Sequence, residues 1–276
     1  MISACASLGP MPAAVTGPAS LSWADVQALS PPPAGQRIAY GADPAQYGVL
    51  RLPAQSSPAP VIVLIHGGCW LRQFDLSYFE HWAHWFGELG YASWTLEYRR
   101  IGQPGGGWPG TFDDVQAALR ALPGLPQAAA LDLSRIVLMG HSAGGQLALW
   151  LASQRPPELG LQGVIGLAPI TDLRQYAEGQ GSCNQAVVPL LGGDAQSVPA
   201  RYAAVSPAER GALTVPALLL SGADDAIVPA QAVADYARIA GPQAQLQLLD
   251  GLGHFDTAVP TPRSAAAVYR WLQQQP

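Results

Sequence analysis

The run Ile136-Val137-Leu138-Met139-Gly140-His141-Ser142-Ala143-Gly144-Gly145-Gln146-Leu147-Ala148-Leu149-Trp150 decides the fold. An apolar run, a turn with glycine at both ends and an Ala/Leu-rich stretch reaching Ser153 read as strand, tight turn, helix. Gly140 and Gly144 flank Ser142 because a serine pushed out of a sheet on a strained turn leaves no room for side chains beside it. The G-x-S-x-G spacing alone arises often by chance. Between a strand and a helix it marks Ser142 as a candidate nucleophile, with the helix start adding N–H groups and a positive dipole end.

Outward from the elbow, apolar runs alternate with amphipathic stretches. Val61 to Ile65 is continuous and β-branched, as a strand buried on both faces should be, and Ala92 to Tyr98, Val164 to Leu167, Ala217 to Leu220 and Leu246 to Leu249 are further strands. Helices are expected over Phe112 to Leu122, Gly144 to Ser153, Pro229 to Ala240 and Ser264 to Gln274. Strand then helix, repeated, predicts an α/β fold with a mostly parallel central sheet covered on both faces. Gln36 to Tyr40 and Gly48 to Leu52 fit a leading antiparallel pair at the sheet edge. Residues 1–35, rich in Ala, Pro, Ser and Gly, read as a loosely structured leader, and 36–276 as a single catalytic domain. Residues 171–210 break the rhythm and read as either a small cap or a surface insertion.

Three more stretches carry chemistry. His66-Gly67-Gly68-Cys69-Trp70 ends the strongest strand, and its glycines suit a loop that turns backbone N–H groups toward a tetrahedral oxyanion; the expected donors are Ala143 and either Gly68 or Cys69. Ser221 to Pro229 follows an apolar run and offers Asp224 and Asp225 as carboxylates able to orient a histidine. Gly251-Leu252-Gly253-His254-Phe255 could present an imidazole on a glycine turn. The chain order Ser142, Asp225, His254 is the one expected of this triad on an α/β-hydrolase sheet. His66 reads as a loop-shaping imidazole, and His141 as a residue inside the elbow. His81 and His84 sit among aromatics on an amphipathic helix and form no metal site, and Gly105 to Gly107 lacks the lysine and following helix of a phosphate cradle. Trp70, Trp108 and Phe255 are candidates for the substrate pocket.

Composition narrows the classes. All 14 basic residues are Arg, so a Schiff-base lysine, a Walker lysine and a Ser/Lys dyad are excluded. A net charge of −5 offers nucleic acid no basic surface, and no window is apolar enough to span a membrane. Three cysteines, Cys5, Cys69 and Cys183, have no metal-ligand spacing and allow at most one bridge. A cytoplasmic location is favoured; Ile2-Ser3-Ala4-Cys5 would point instead to an exported lipoprotein if the chain starts late.

From Ile38 to the C-terminus the sequence resembles the α/β-hydrolase superfamily, in its branch of small bacterial esterases and kynurenine-formamidase-like enzymes. The likeness rests on His66 to Trp70, Glu97-Tyr98-Arg99-Arg100, Gly107 to Gly110 with Asp113-Asp114-Val115, the Gly140 to Gly144 elbow, Gly222 to Pro229 and Gly253-His254-Phe255. The resemblance favours Asp225 over Asp224, implies no cofactor, and implies a small ester or amide substrate. Cys69 departs from it, standing where relatives often carry Gly, Ala or Tyr. The resulting expectation is a serine hydrolase of small carboxylic esters. An arylformamidase and a non-catalytic binding module of the same fold are the alternatives.

Overall fold

The computed structural model describes residues 8–54, 58–154 and 159–275; Cys5 lies outside them. Eight strands form one sheet: β1 (Gln36–Ala39), β2 (Tyr47–Arg51), β3 (Ala59–Ile65), β4 (Ala92–Leu96), β5 (Leu131–His141), β6 (Leu161–Leu167), β7 (Ala217–Gly222) and β8 (Ala244–Leu249). Their order across the sheet is β1-β2-β4-β3-β5-β6-β7-β8. Strand β2 runs antiparallel to both its neighbours, as the leading pair required, and the other pairings are parallel. The helices are α1 (Trp23–Gln27), α2 (Glu80–Glu88), α3 (Gly110–Arg120), α4 (Ala143–Ser153), α5 (Leu173–Ala177), α6 (Ser182–Gln185), α7 (Val187–Leu191), α8 (Pro199–Val205), α9 (Ala230–Ala240) and α10 (Pro262–Leu272).

The central strands are apolar without interruption because both faces are buried. In β3, Val61, Val63 and Ile65 enter a core that holds α3, α4 and α9, while Ile62 and Leu64 enter a second core with α2 and α10. In β5, Ile136 and Leu138 join the first core and Val137 and Met139 the second, the period-2 alternation of a strand sandwiched between helix layers. No described helix is long and apolar enough to cross a membrane.

Two regions carry structure that the sequence did not specify. Residues 171–210 fold into α5 to α8, four short helices of four to seven residues, with Leu173, Val187, Leu190, Leu191, Tyr202 and Val205 buried in the first core. The leader is not loose over its described part. Leu21 and Val26 are buried in the second core, each worth about 1.5–3 kcal/mol of transfer free energy. Ser20 Oγ and the Leu21 N–H donate to Asp256 at 2.9 Å each, and the Val15 N–H donates to the Pro260 carbonyl at 2.8 Å. Sequence reading missed this strap because its anchors are isolated residues in a Pro/Ala background with no period to detect.

Candidate active site

Ser142 sits between β5 and α4 with φ 55° and ψ −119°, a conformation that costs of order 1–3 kcal/mol for a non-glycine residue. The surroundings over-determine it. The Ser142 N–H donates to the Leu167 carbonyl at 2.8 Å, and its carbonyl accepts from Gln146. Close approach explains the flanking glycines: a Cβ on Gly144 would lie 2.0 Å from the Ile65 carbonyl oxygen, and one on Gly140 would lie 2.0 Å from that of Gly144. Helix α4, apolar on all sides, buries ten of its eleven residues, so the elbow is set on an enclosed element.

Asp225 leaves the end of β7 and is buried, while Asp224 is exposed. One carboxylate oxygen of Asp225 accepts from the Ile227 and Val228 N–H groups, both at 2.8 Å. The other accepts from His254 Nδ1 at 2.7 Å. His254 opens a 3₁₀ turn, His254–Asp256, after β8. Its ring centroid lies 4.7 Å from that of His141, the residue preceding Ser142. With Asp225 holding Nδ1–H, the Nε2 atom is left as the basic position.

The loop after β3 passes through left-handed conformations at Gly68 (φ 96°), Cys69 (φ 56°) and Trp70 (φ 56°). Of its amides, Gly67 N–H is already engaged, donating to the Tyr78 hydroxyl at 2.7 Å. Among the described residues those of Gly68 and Cys69 have no protein acceptor, nor does the Ala143 N–H at the start of α4. His66 is fully buried: its Nδ1 faces the Gly67 carbonyl, its Nε2 faces Glu97 at 3.1 Å, and its ring stacks on Tyr98. Glu97 also pairs with Arg100 and accepts from the Leu76 N–H, so the loop rests on a buried polar cluster.

Of the pocket candidates, Trp70 has its ring wholly buried in the first core, donating from Nε1 to Gln146. Trp108 is half-buried against Phe112. Phe255 stands edge-on to His254 and also touches Trp23 of the N-terminal strap, which in turn packs on Phe74 and Tyr78. Trp23 was hidden because nothing in residues 1–35 advertises contact with a loop more than two hundred positions away.

The bridge is a further departure. Cys69 is disulfide-bonded to Cys183 on α6, across 114 positions, so the glycine loop is fastened covalently to the short-helix segment 171–210. The sequence allowed one bridge without naming its partners. Cys69, out of place against the resemblance, is accounted for by this bond.

Burial and the nearby His254 hold the His141 imidazole well below its ordinary pKa, so it is neutral at pH 7. Burial likewise raises the Tyr78 phenol, which keeps its proton. Among the described residues no group of three or more His, Cys, Asp or Glu is arranged to hold a metal ion.

A family model, BD-FAE, matches residues 50–238. Among solved structures, the fold is similar to that of esterase B from Lactobacillus Rhamnosis, with a TM-score of 0.74 and 24% identity over 86% of this chain and 82% of that one. A truncated carbohydrate esterase from gut microbiota gives 0.71 at 18% identity over 88% and 96%. The propionate-bound esterase Est2 of the Planctomycetes species Thermogutta terrifontis gives 0.70 at 20% identity over 87% and 94%. No curated protein matches the chain. The structural likeness establishes the α/β-hydrolase fold, and the match over residues 50–238 establishes that the chain belongs to the BD-FAE family, an α/β-hydrolase-type esterase domain.

Proposed function

We propose that the protein hydrolyses small carboxylic esters through an acyl-enzyme intermediate. Ser142 attacks the carbonyl as His254 Nε2 takes its proton, and His254 returns that proton to the leaving alcohol. Asp225 fixes the tautomer that leaves Nε2 basic and stabilises the imidazolium. The N–H groups of Ala143 and of Gly68 or Cys69 receive the oxyanion, each donor worth about 3 kcal/mol where removal has been measured. A water activated by His254 then releases the acid. The observation that carries this reading is the 2.7 Å bond from His254 Nδ1 to Asp225, made beside a serine held at positive φ between strand and helix. The esterases with similar structures support the substrate class.

The test is turnover of p-nitrophenyl acetate, butyrate and octanoate beside N-formylkynurenine, with Ser142→Ala as the blank. Ester turnover lost in the blank is expected. A marked preference for the formamide would reassign the enzyme as an arylformamidase, and silence on all four, together with failure of fluorophosphonate labelling, would leave a binding module. The Cys69–Cys183 bridge favours an oxidising compartment over the expected cytoplasm, which thiol trapping in intact cells would check.

A further inference from the structure

A buried hydrogen-bond chain crosses behind Ser142. The Gly67 N–H meets the Tyr78 hydroxyl at 2.7 Å, that hydroxyl meets His141 Nδ1 at 3.0 Å, and His141 Nε2 meets the His254 carbonyl at 3.2 Å. Its two ends, together with a neutral imidazole, fix every proton between them. An amide N–H only donates, so the Tyr78 oxygen accepts from Gly67 and turns its own proton toward His141 Nδ1. A carbonyl only accepts, so His141 carries its proton on Nε2 and leaves Nδ1 bare to receive the phenol. An imidazolium would donate from both nitrogens and leave the Tyr78 oxygen to accept twice; the assignment is unique for a neutral imidazole. Burial supplies that condition, since it disfavours the charged form of His141.

The chain joins the three loops that the proposed reaction uses. Gly67 immediately precedes the candidate oxyanion donors, His141 immediately precedes Ser142, and the carbonyl at the far end belongs to His254 itself. There is no slack at the Gly67 end: a Cβ there would lie 2.6 Å from the His141 carbonyl oxygen and 3.1 Å from the Tyr78 hydroxyl. Tyr78 is clamped from outside by Trp23, with ring centroids 5.4 Å apart at 81°. We infer that Tyr78 and His141 are positioning residues, whose hydrogen-bond chain holds the glycine loop and the His254 turn at a fixed separation about Ser142. This inference rests on the ester-hydrolase reading of Ser142 and His254. Catalysis depends on donors preorganised for the oxyanion and on a base within reach of the serine. Loosening either acts on the transition state more than on substrate binding.

Tyr78→Phe keeps the ring and removes the link. With rates normalised to active sites titrated by a fluorophosphonate, it should lower kcat on p-nitrophenyl acetate at least tenfold with KM within about twofold, a fall that an unfolded fraction then does not produce. His141→Gln, whose amide can accept from Tyr78 or donate to the His254 carbonyl, should retain more of kcat than His141→Leu. Adding Tyr78→Phe to His141→Leu should cost less than a further twofold, because the chain is already cut. Amide hydrogen exchange gives a readout that needs no turnover. In folded Tyr78→Phe, residues 253–257 should exchange at least tenfold faster than in the wild type, although Tyr78 makes no hydrogen bond to that turn. A Tyr78→Phe enzyme with kcat within twofold of wild type, or unchanged exchange at 253–257, overturns the inference. If wild-type ester turnover survives in Ser142→Ala, it is the triad reading that has failed, and the exchange measurement still decides the chain.

Discussion

Cutting the bridge between Cys69 and Cys183 perturbs the molecule with a magnitude the sequence separation supplies. The loop it closes spans 114 positions. The chain-entropy relation then assigns the cross-link about 16 cal/mol/K of denatured-state entropy, or about 4.8 kcal/mol at 25 °C. Unfolding a chain of 276 residues carries about 2.1 cal/mol/K per residue, so this loss corresponds to a fall in Tm of roughly 8 °C. The assay is thermal unfolding by circular dichroism of Cys183→Ser and of wild type with and without a phosphine reductant. Thiol titration after denaturation should show two more thiols once the reductant has acted. Reduced wild type and the variant should melt together, well below the oxidised enzyme. Melting of Cys183→Ser within about 2 °C of oxidised wild type would refute the reasoning, because the two halves of the loop would then be held together as well by packing alone. Since Cys69 is itself a candidate oxyanion donor, next to Gly68, kcat should fall along with stability, the loop having lost its tether to α6.

Other expectations follow from the same geometry. Asp225→Asn should leave the fold intact and drop kcat by about 10⁴, the loss known for such a carboxylate, and kcat within tenfold of wild type would remove Asp225 from the triad. Asp256→Ala orphans the Leu21 and Gly253 N–H groups at about 1–3 kcal/mol each and should release the N-terminal strap, read as chymotryptic cleavage near Trp23; an unchanged digest would contradict that anchoring. His141 has a folded pKa well below its ordinary value of 6.5, so the unfolded chain binds the extra proton. Its contribution to stability is present above about pH 6.5 and lost as pH falls through and below that value. His141→Gln should therefore flatten the decline of Tm between pH 6.5 and 5, and an identical slope in both proteins would argue against it.

What could be read from the sequence was what short-range patterns encode. The continuous runs of β3 and β5, the glycines around Ser142 and the loops bearing Asp225 and His254 are local, and the structure sets them on one mostly parallel sheet, with His254 hydrogen-bonded to Asp225. Features made by distant residues were not legible. Helices α5 to α8 are too short for a 3.6-residue period to stand out. Three cysteines allow three pairings, and only the folded chain selects one. His141 was set aside as an elbow residue because its partner Tyr78 lies 63 positions away. Trp70 had the right neighbours for a pocket wall, but the left-handed turn at its own backbone accompanies a ring that lies in the core.

The N-terminal strap separates two boundaries that are easily taken to be the same. The segment shared with the family, residues 50–238, contains Ser142 and Asp225 and stops before His254. The turn that presents His254 is anchored in the other direction, through Asp256 to Ser20 and Leu21 near the opposite end of the chain. A gene fragment trimmed to the shared segment would encode the proposed nucleophile Ser142 and carboxylate Asp225 without the proposed base His254. One trimmed at the first strand would keep all three and strip the brace from the histidine. For recombination, shuffling or fusion, the smallest transplantable unit therefore runs from upstream of Val15 through α10, and its two ends must travel together.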